Sequence, residues 1–114
     1  MKKVSISDAV RYFPPGHNDC ACFRLQGRDE TGTTQFSVGC THFLPGGGAD
    51  FVPERQFDTV YVCLEGEITI IDKDGNEIVL KPHDSIYIAP NEGRAIKNKT
   101  QYPASMLVIL GYPV

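Results

Sequence analysis

The fold class is decided by one stretch, residues 67–80, which reads Glu67-Ile68-Thr69-Ile70-Ile71-Asp72-Lys73-Asp74-Gly75-Asn76-Glu77-Ile78-Val79-Leu80. Its two ends alternate loosely between apolar and polar residues, a pattern typical of half-buried β-strands. Between them, Asp74-Gly75 supplies the residue types that tolerate positive φ in a tight two-residue turn. The stretch therefore predicts a β-hairpin.

Similar short apolar segments recur roughly every ten residues, a spacing typical of all-β sandwiches and barrels. Two Gly/Pro-rich stretches, Pro14-Pro15-Gly16 and Pro45-Gly46-Gly47-Gly48, read as loops that no regular element crosses. Residues 7–12 predict a short helical turn capped by Ser7 or Asp8. Further strands are predicted at residues 20–25, 34–43, 58–64, 85–89, 93–98 and 104–110.

Length and charge narrow the class of protein. The chain has 114 residues and a formal net charge of −3, so we expect one domain over residues 1–114. Without a basic excess to neutralise phosphates, a nucleic-acid partner is not expected. The longest apolar run, residues 106–110, is far shorter than the roughly 18 residues of a membrane span. No apolar signal-peptide core follows Met1, so we expect a cytoplasmic protein with no membrane partner.

The four cysteines are expected to be free thiols in a reducing compartment. Cys20 and Cys22 form the one close pair, and no second close pair completes a zinc-type arrangement. Their spacing puts both thiols on one face of a strand, as expected for small core side chains. A core role is therefore favoured over a metal or redox role, also for Cys40 and Cys63.

Two motifs resemble those of the small single-domain members of the cupin superfamily. The first runs from Pro45-Gly46-Gly47-Gly48 to Tyr61-Val62-Cys63-Leu64-Glu65-Gly66-Glu67. The second begins at Leu80-Lys81-Pro82-His83-Asp84-Ser85-Ile86-Tyr87-Ile88-Ala89-Pro90 and continues to Arg94 and Asn98. The resemblance implies an all-β, jelly-roll-like barrel, the double-stranded β-helix, with a pocket inside. It also implies a homodimer, because a second copy would cover the exposed edge strands.

The metal-ligand positions of this family are largely replaced. Metal-binding cupins place two histidines and a glutamate in the first motif and one histidine in the second. Motif spacing puts Thr59 at the glutamate position and Arg94 at the second-motif histidine, while His83 replaces the usual turn glycine outside the barrel. The first-motif histidine positions fall on Val52 and Glu54, or on Pro53 and Arg55 if the loop is one residue shorter. Because a guanidinium cation does not ligate metals, we expect a metal-free pocket and no cofactor.

A rebuilt metal site is the alternative, with His42, Glu54 and Asp58 as its ligands. It requires Asp58 to face the pocket, which holds only if Thr59 does not, since neighbouring strand residues point to opposite faces. Otherwise His42 is a hydrogen-bonded interior or rim histidine.

Strand alternation predicts which side chains meet in the pocket. If Thr59 faces inward, so do Tyr61 and Cys63, and Arg94 shares a face with Asn98. The planar fork of Arg94 suits a carboxylate, phosphate or enolate oxygen. Alternatively, Arg94 forms a structural ion pair with Glu54 or Glu92, Tyr61 and Cys63 are core residues, and Asn98 serves a strand-end hydrogen bond. The candidate ligand-binding residues are Arg94, Glu54, Tyr61, Thr59, Cys63, Asn98 and His42.

These side chains predict a binding protein for a small oxygenated or anionic organic molecule. Catalysis stays open. Glu54 as a base, with Arg94 stabilising an enolate, would give a metal-free isomerase, cyclase or lyase. The rebuilt metal set would instead give a dioxygenase or an isomerase.

Overall fold

The structure is a computed structural model that describes residues 1–113. Short strands separated by turns make up most of it. A 3-10 helix, Ile6–Asp8, precedes the first strand, and one helical turn, α1 (Arg28–Thr31), follows the second. The helical turn predicted for residues 7–12 is therefore wrong beyond Asp8, where β1 instead pairs with β2. The predicted cap at Ser7 or Asp8 is also wrong, because the turn begins after Ser5 and no side chain caps it. Within residues 1–113 the strands are β1 (Val10–Tyr12), β2 (His17–Gln26), β3 (Phe36–Val52), β4 (Thr59–Glu65), β5 (Ile68–Asp72), β6 (Glu77–Leu80), β7 (Ser85–Ile88), β8 (Arg94–Lys97) and β9 (Ala104–Gly111).

The strands form one curled sheet in the order β6-β5-β8-β3-β9-β4-β7, with β2 also on β3 and β1 on β2. The sheet wraps into a nearly closed barrel, which confirms the all-β double-stranded β-helix. Strand β3 connects the two halves of the barrel. Residues 36–43 pair with β9 and residues 48–52 pair with β8. No helix within residues 1–113 is long and apolar enough to cross a bilayer.

The prediction that the Pro45–Gly48 run is a loop is wrong, because β3 continues through these residues. The strand bends there, because Gly46 has a φ of +80° and the β2–β3 register shifts between Asn18 and Cys20. A Cβ at Gly48 would overlap the carbonyl oxygen of Ile96 on the neighbouring strand. Glycine thus lets the bent strand keep its partners on both sides.

The predicted hairpin is formed by β5 and β6, with Ile68 opposite Leu80 and Ile71 opposite Glu77. The connection is four residues long and not two. Asp72 Oδ1 accepts hydrogen bonds from the amides of Asp74 and Asn76, each at 2.9 Å, and so closes the longer turn. Gly75 has the expected positive φ of +84°. His83 also has a positive φ, +74°, and is exposed, as expected for a residue in a turn outside the barrel.

Alternation along β4 and β8 fills the barrel interior. Thr59, Tyr61 and Cys63 are buried on one face of β4, as strand alternation predicts. Arg94 and Ile96 are buried on β8, and Asn98 follows them on the same side. The interior therefore contains a guanidinium and hydroxyl groups beside an apolar core that includes Phe43, Ile68, Ile70, Leu80 and Met106.

Candidate functional site

Arg94 is a buried cation held by uncharged groups. The residue is 2% exposed; its Nε and Nη2 donate to the Tyr61 hydroxyl at 3.1 and 2.8 Å, and its Nη1 donates to the Glu92 carbonyl at 3.1 Å. Among residues 1–113, no carboxylate oxygen lies within 4.0 Å of its guanidinium. The alternative of an ion pair with Glu54 or Glu92 is therefore wrong. The Glu92 carboxylate accepts the Ala89 amide at 2.8 Å instead, and Glu54 is exposed.

Arg94 lines a cavity of about 250 Å³, here called the outer cavity, between the end of β5, strand β7 and the turn before β8. Four isoleucines form its apolar wall. Hydrogen bonds from the backbone and side chain of Asn76 hold the pKa of Asp72 below its usual range, so this carboxylate stays ionised. The polar lining comprises Asp72, Lys73, Asp74, Tyr87, Asn91, Glu92 and Arg94.

Tyr61 lines a different cavity of about 100 Å³, the inner cavity, inside the barrel. The inner cavity shares Tyr12, Val108 and Leu110 with a third cavity of about 370 Å³, the mouth cavity. Tyr61 and Arg94 are hydrogen-bonded to each other, and each lines a different cavity. The pair therefore lies between the inner and outer cavities.

The positions at which cupins carry metal ligands do not suit a divalent ion in this chain. Val52 is aliphatic, Thr59 offers a neutral hydroxyl, Arg94 is a cation and Glu54 faces solvent. Across residues 1–113, no three His, Cys, Asp or Glu side chains are close enough to share a metal ion. Since a metal site of this kind needs about three nitrogen, oxygen or sulfur donors, the residues present do not fit one.

The rebuilt ligand set of His42, Glu54 and Asp58 is not brought together. His42 is exposed between the buried Thr41 and Phe43, so it projects from the outer face of β3. There it lies 3.8 Å from Cys40 Sγ. Because Thr59 is buried, Asp58 faces outward, where it accepts a hydrogen bond from the Tyr87 hydroxyl at 2.7 Å.

Two further candidates lie in the core, outside the cavities described above. The Asn98 amide donates to the carbonyls of Leu44 and Tyr102 and accepts from the amide and hydroxyl of Thr100. Its side chain therefore fastens a loop and has little capacity left for a ligand. Cys63 is 0% exposed, with its Sγ close to the carbonyls of Glu65 and Gly66.

The thiols are expected to react slowly in the folded protein, because the thiolate is the reactive form. Burial is the main cause that raises the pKa of Cys20 to about 12, and burial also raises the pKa of Cys40 and Cys63. We expect Ellman's reagent at about pH 8 to label these thiols far more slowly than free cysteine. Unfolding in guanidinium should then expose all four free cysteines. Rapid stoichiometric labelling of the native chain would contradict this prediction.

Several residues of the outer cavity were not among the sequence-based candidates. Asp72 and Asp74 belong to the hairpin turn, and Glu92 was considered only as a partner of Arg94. The register of β5 on β8, which places Asp72 opposite Arg94, brings them to one cavity. The two acidic residues in the turn were the sequence signal available for this site. That signal was not sufficient, because no local pattern predicts that β5 pairs with β8, which lies far from it in the sequence.

Comparisons with known proteins show the family of this chain. The family model for the cupin domain matches residues 40–110. The chain belongs to the cupin family. Beta-D-galactosidase Rv1717 of Mycobacterium tuberculosis (strain ATCC 25618 / H37Rv) is 42% identical to this cupin over 114 residues, which cover 100% of the chain and 97% of the relative.

Solved structures of other proteins share the fold. The polyketide cyclase RemF from Streptomyces resistomycificus superposes with a TM-score of 0.85 at 19% identity, over 97% of this cupin and 79% of that chain. A sugar phosphate isomerase of the cupin superfamily from Silicibacter pomeroyi gives a TM-score of 0.77 at 22% identity, over 98% of this cupin and 76% of that chain.

Proposed function

We propose that this cupin binds a sugar in the outer cavity without a metal ion, and that β-galactosides are its substrates. One observation carries the proposal: the buried Arg94 has no carboxylate partner among residues 1–113 and lines a cavity with open polar groups. A buried cation is costly unless it has hydrogen-bonding partners. Oxygen atoms of a bound sugar would supply further acceptors to the guanidinium.

The size and the wall chemistry of the outer cavity support a sugar. Its volume of about 250 Å³ is large enough for one hexose ring, since each water molecule that the ring displaces frees roughly 30 Å³. A sugar hydroxyl both donates and accepts hydrogen bonds. The carboxylates of Asp72, Asp74 and Glu92 accept, the side chains of Asn91 and Arg94 donate, and the isoleucines provide an apolar surface for the ring carbons.

The substrate class rests on the full-length relative. At 42% identity over the whole chain, the relative named as a beta-D-galactosidase supports glycoside hydrolysis. The solved structures, at 22% identity or less, support the fold and no particular substrate.

Glycoside hydrolysis needs one carboxylic acid that protonates the leaving oxygen and one carboxylate on the other side of the scissile bond. The outer cavity offers three carboxyl groups. Asp72 suits the carboxylate role, because its lowered pKa keeps it ionised. We assign the acid role to Glu92, because the Ala89 amide orients one of its oxygens and the other oxygen, without a partner among the described residues, is available to carry the proton.

Replacement of Arg94 by methionine tests the binding step. We expect titration calorimetry to show at least about tenfold weaker galactose binding, the effect of losing a hydrogen bond to a charged group. The melting temperature of the free protein should fall, because the Tyr61 hydroxyl and the Glu92 carbonyl lose the groups that donate to them, so the titration is run well below the unfolding transition. Lys73→Met is the matched control: it removes an exposed cation of the same cavity and should bind within a few fold of wild type. Equal affinity in Arg94→Met and wild type would refute the role of Arg94.

A further inference from the structure

The inner cavity differs from the outer cavity in the chemistry of its wall. Among residues 1–113, no aspartate or glutamate lines the inner cavity. Its lining residues include the polar Tyr12, His17, Thr41, Arg55 and Tyr61, beside apolar residues such as Ile96 and Met106. A cavity with donors, a cation and no acid favours a negatively charged acceptor with a small apolar part.

The Tyr61 hydroxyl has a proton to donate. Its oxygen accepts two hydrogen bonds from Arg94, at 3.1 and 2.8 Å, so its own O–H is directed elsewhere. No group within residues 1–113 accepts that proton, although the residue is only 3% exposed. Thr59, two residues earlier on the same face of β4, also has a buried hydroxyl oxygen without a partner among those residues. Such unpartnered buried groups are costly and are normally satisfied by a ligand or water.

Tyr12 is a second tyrosine of the inner cavity whose hydroxyl can donate a hydrogen bond. Burial is the main cause that raises the pKa of Tyr12, which therefore keeps its proton at neutral pH. Tyr12 lies where the inner cavity meets the mouth cavity. The mouth cavity also carries Arg24 and Arg28, stacked over the rings of Tyr12 and Tyr112 with centroid distances of 5.1 and 4.0 Å. Asp29 and Glu30 line the mouth cavity as well, so its charges are balanced, and the preference for an anion rests on the inner cavity itself.

The size of the inner cavity restricts its occupant. A volume of about 100 Å³ equals roughly three water molecules at their share of liquid volume, about 30 Å³ each. A carboxylate with one or two further carbon atoms matches this space, and a hexose does not.

We propose that the inner cavity is a second binding site, which takes the carboxylate of a short aliphatic acid. Tyr61 donates to a carboxylate oxygen, and Arg55 supplies positive charge. Arg94 holds the Tyr61 hydroxyl oxygen in place from the other side. This site is separate from the outer cavity and does not depend on the proposed sugar binding.

Propionate is the probe for this site. The ¹⁵N-labelled full chain is titrated with sodium propionate, with sodium chloride at equal ionic strength as the reference. We expect saturable shifts at amides of β4 and β9, with a dissociation constant in the millimolar range for so small a ligand. Tyr61→Phe should weaken binding about tenfold or more, because it removes a hydrogen bond to a charged group. Tyr87→Phe removes the same atom from the tyrosine of the outer cavity and should bind as wild type does.

Three results would overturn the proposal: no saturation at millimolar propionate, shifts confined to the outer cavity, or equal affinity in Tyr61→Phe and wild type. If Tyr61→Phe does not fold, Arg55→Gln provides the same test, since Arg55 is only half-buried and lines the same cavity. We expect severalfold weaker binding in Arg55→Gln, and unchanged binding would equally overturn the proposal. Because galactose is absent from the titration, the outcome is independent of the sugar site.

Discussion

Replacement of Glu92 by glutamine is expected to lower kcat for lactose by about 100-fold or more, the usual contribution of a general acid. Glutamine cannot donate a carboxylic proton to the glycosidic oxygen. An aryl galactoside with a nitrophenolate leaving group should lose much less activity, because that group departs without protonation. The ratio of the two kcat losses, measured with the purified chain, identifies the proton donor.

The fold should tolerate this change. The Glu92 side chain accepts the Ala89 amide at 2.8 Å, and a glutamine oxygen can accept the same bond. Glu54→Gln is the matched control, since Glu54 is exposed and does not line the outer cavity. It should retain nearly full activity. An equal loss for both leaving groups, or a large loss in Glu54→Gln, would argue against Glu92 as the acid.

Replacement of Gly48 by alanine should cost about 3 kcal/mol or more in the free energy of unfolding, at the upper end for overpacking. Gly48 pairs with Asn18 on one side and Lys97 on the other. A new Cβ would overlap the carbonyl oxygen of Ile96, which is backbone and cannot rotate away. Relief would require β3 and β8 to separate, with loss of their hydrogen bonds.

Gly46→Ala is the control within the same glycine run. A Cβ at Gly46 meets no atom within 4 Å, so alanine there bears only the strain of its positive φ, about 1 kcal/mol. Urea denaturation of both variants gives the comparison. Equal stability of the two variants would show that β3 and β8 adjust more easily than the structure implies.

The barrel was predictable because its signals are local. Alternation along β4 fixes the inward face of Thr59, Tyr61 and Cys63, whatever the rest of the chain does. Arg94 was predicted in the interior on other grounds, the resemblance to the second cupin motif, and it is buried. The homodimer, the cytoplasmic location and the absence of a cofactor stay predictions.

The composition of the site was harder to predict, because it depends on contacts between distant segments. Glu54 was expected in the pocket, but residues 53–58 form an irregular connection in which alternation does not apply, and the side chain is exposed. Asp72 reaches the outer cavity only through the pairing of β5 with β8. The strand through Gly46–Gly48 was missed because glycine is a strand breaker by propensity, whereas here close backbone neighbours require it.

Strand β3 has a consequence for how the molecule comes apart. Its first part is hydrogen-bonded to β9 and its second part to β8, while β2 follows it along both. Neither half of the barrel can melt without removing a partner from the other half. Denaturation should therefore be all-or-none, with no stable intermediate in which one side survives alone.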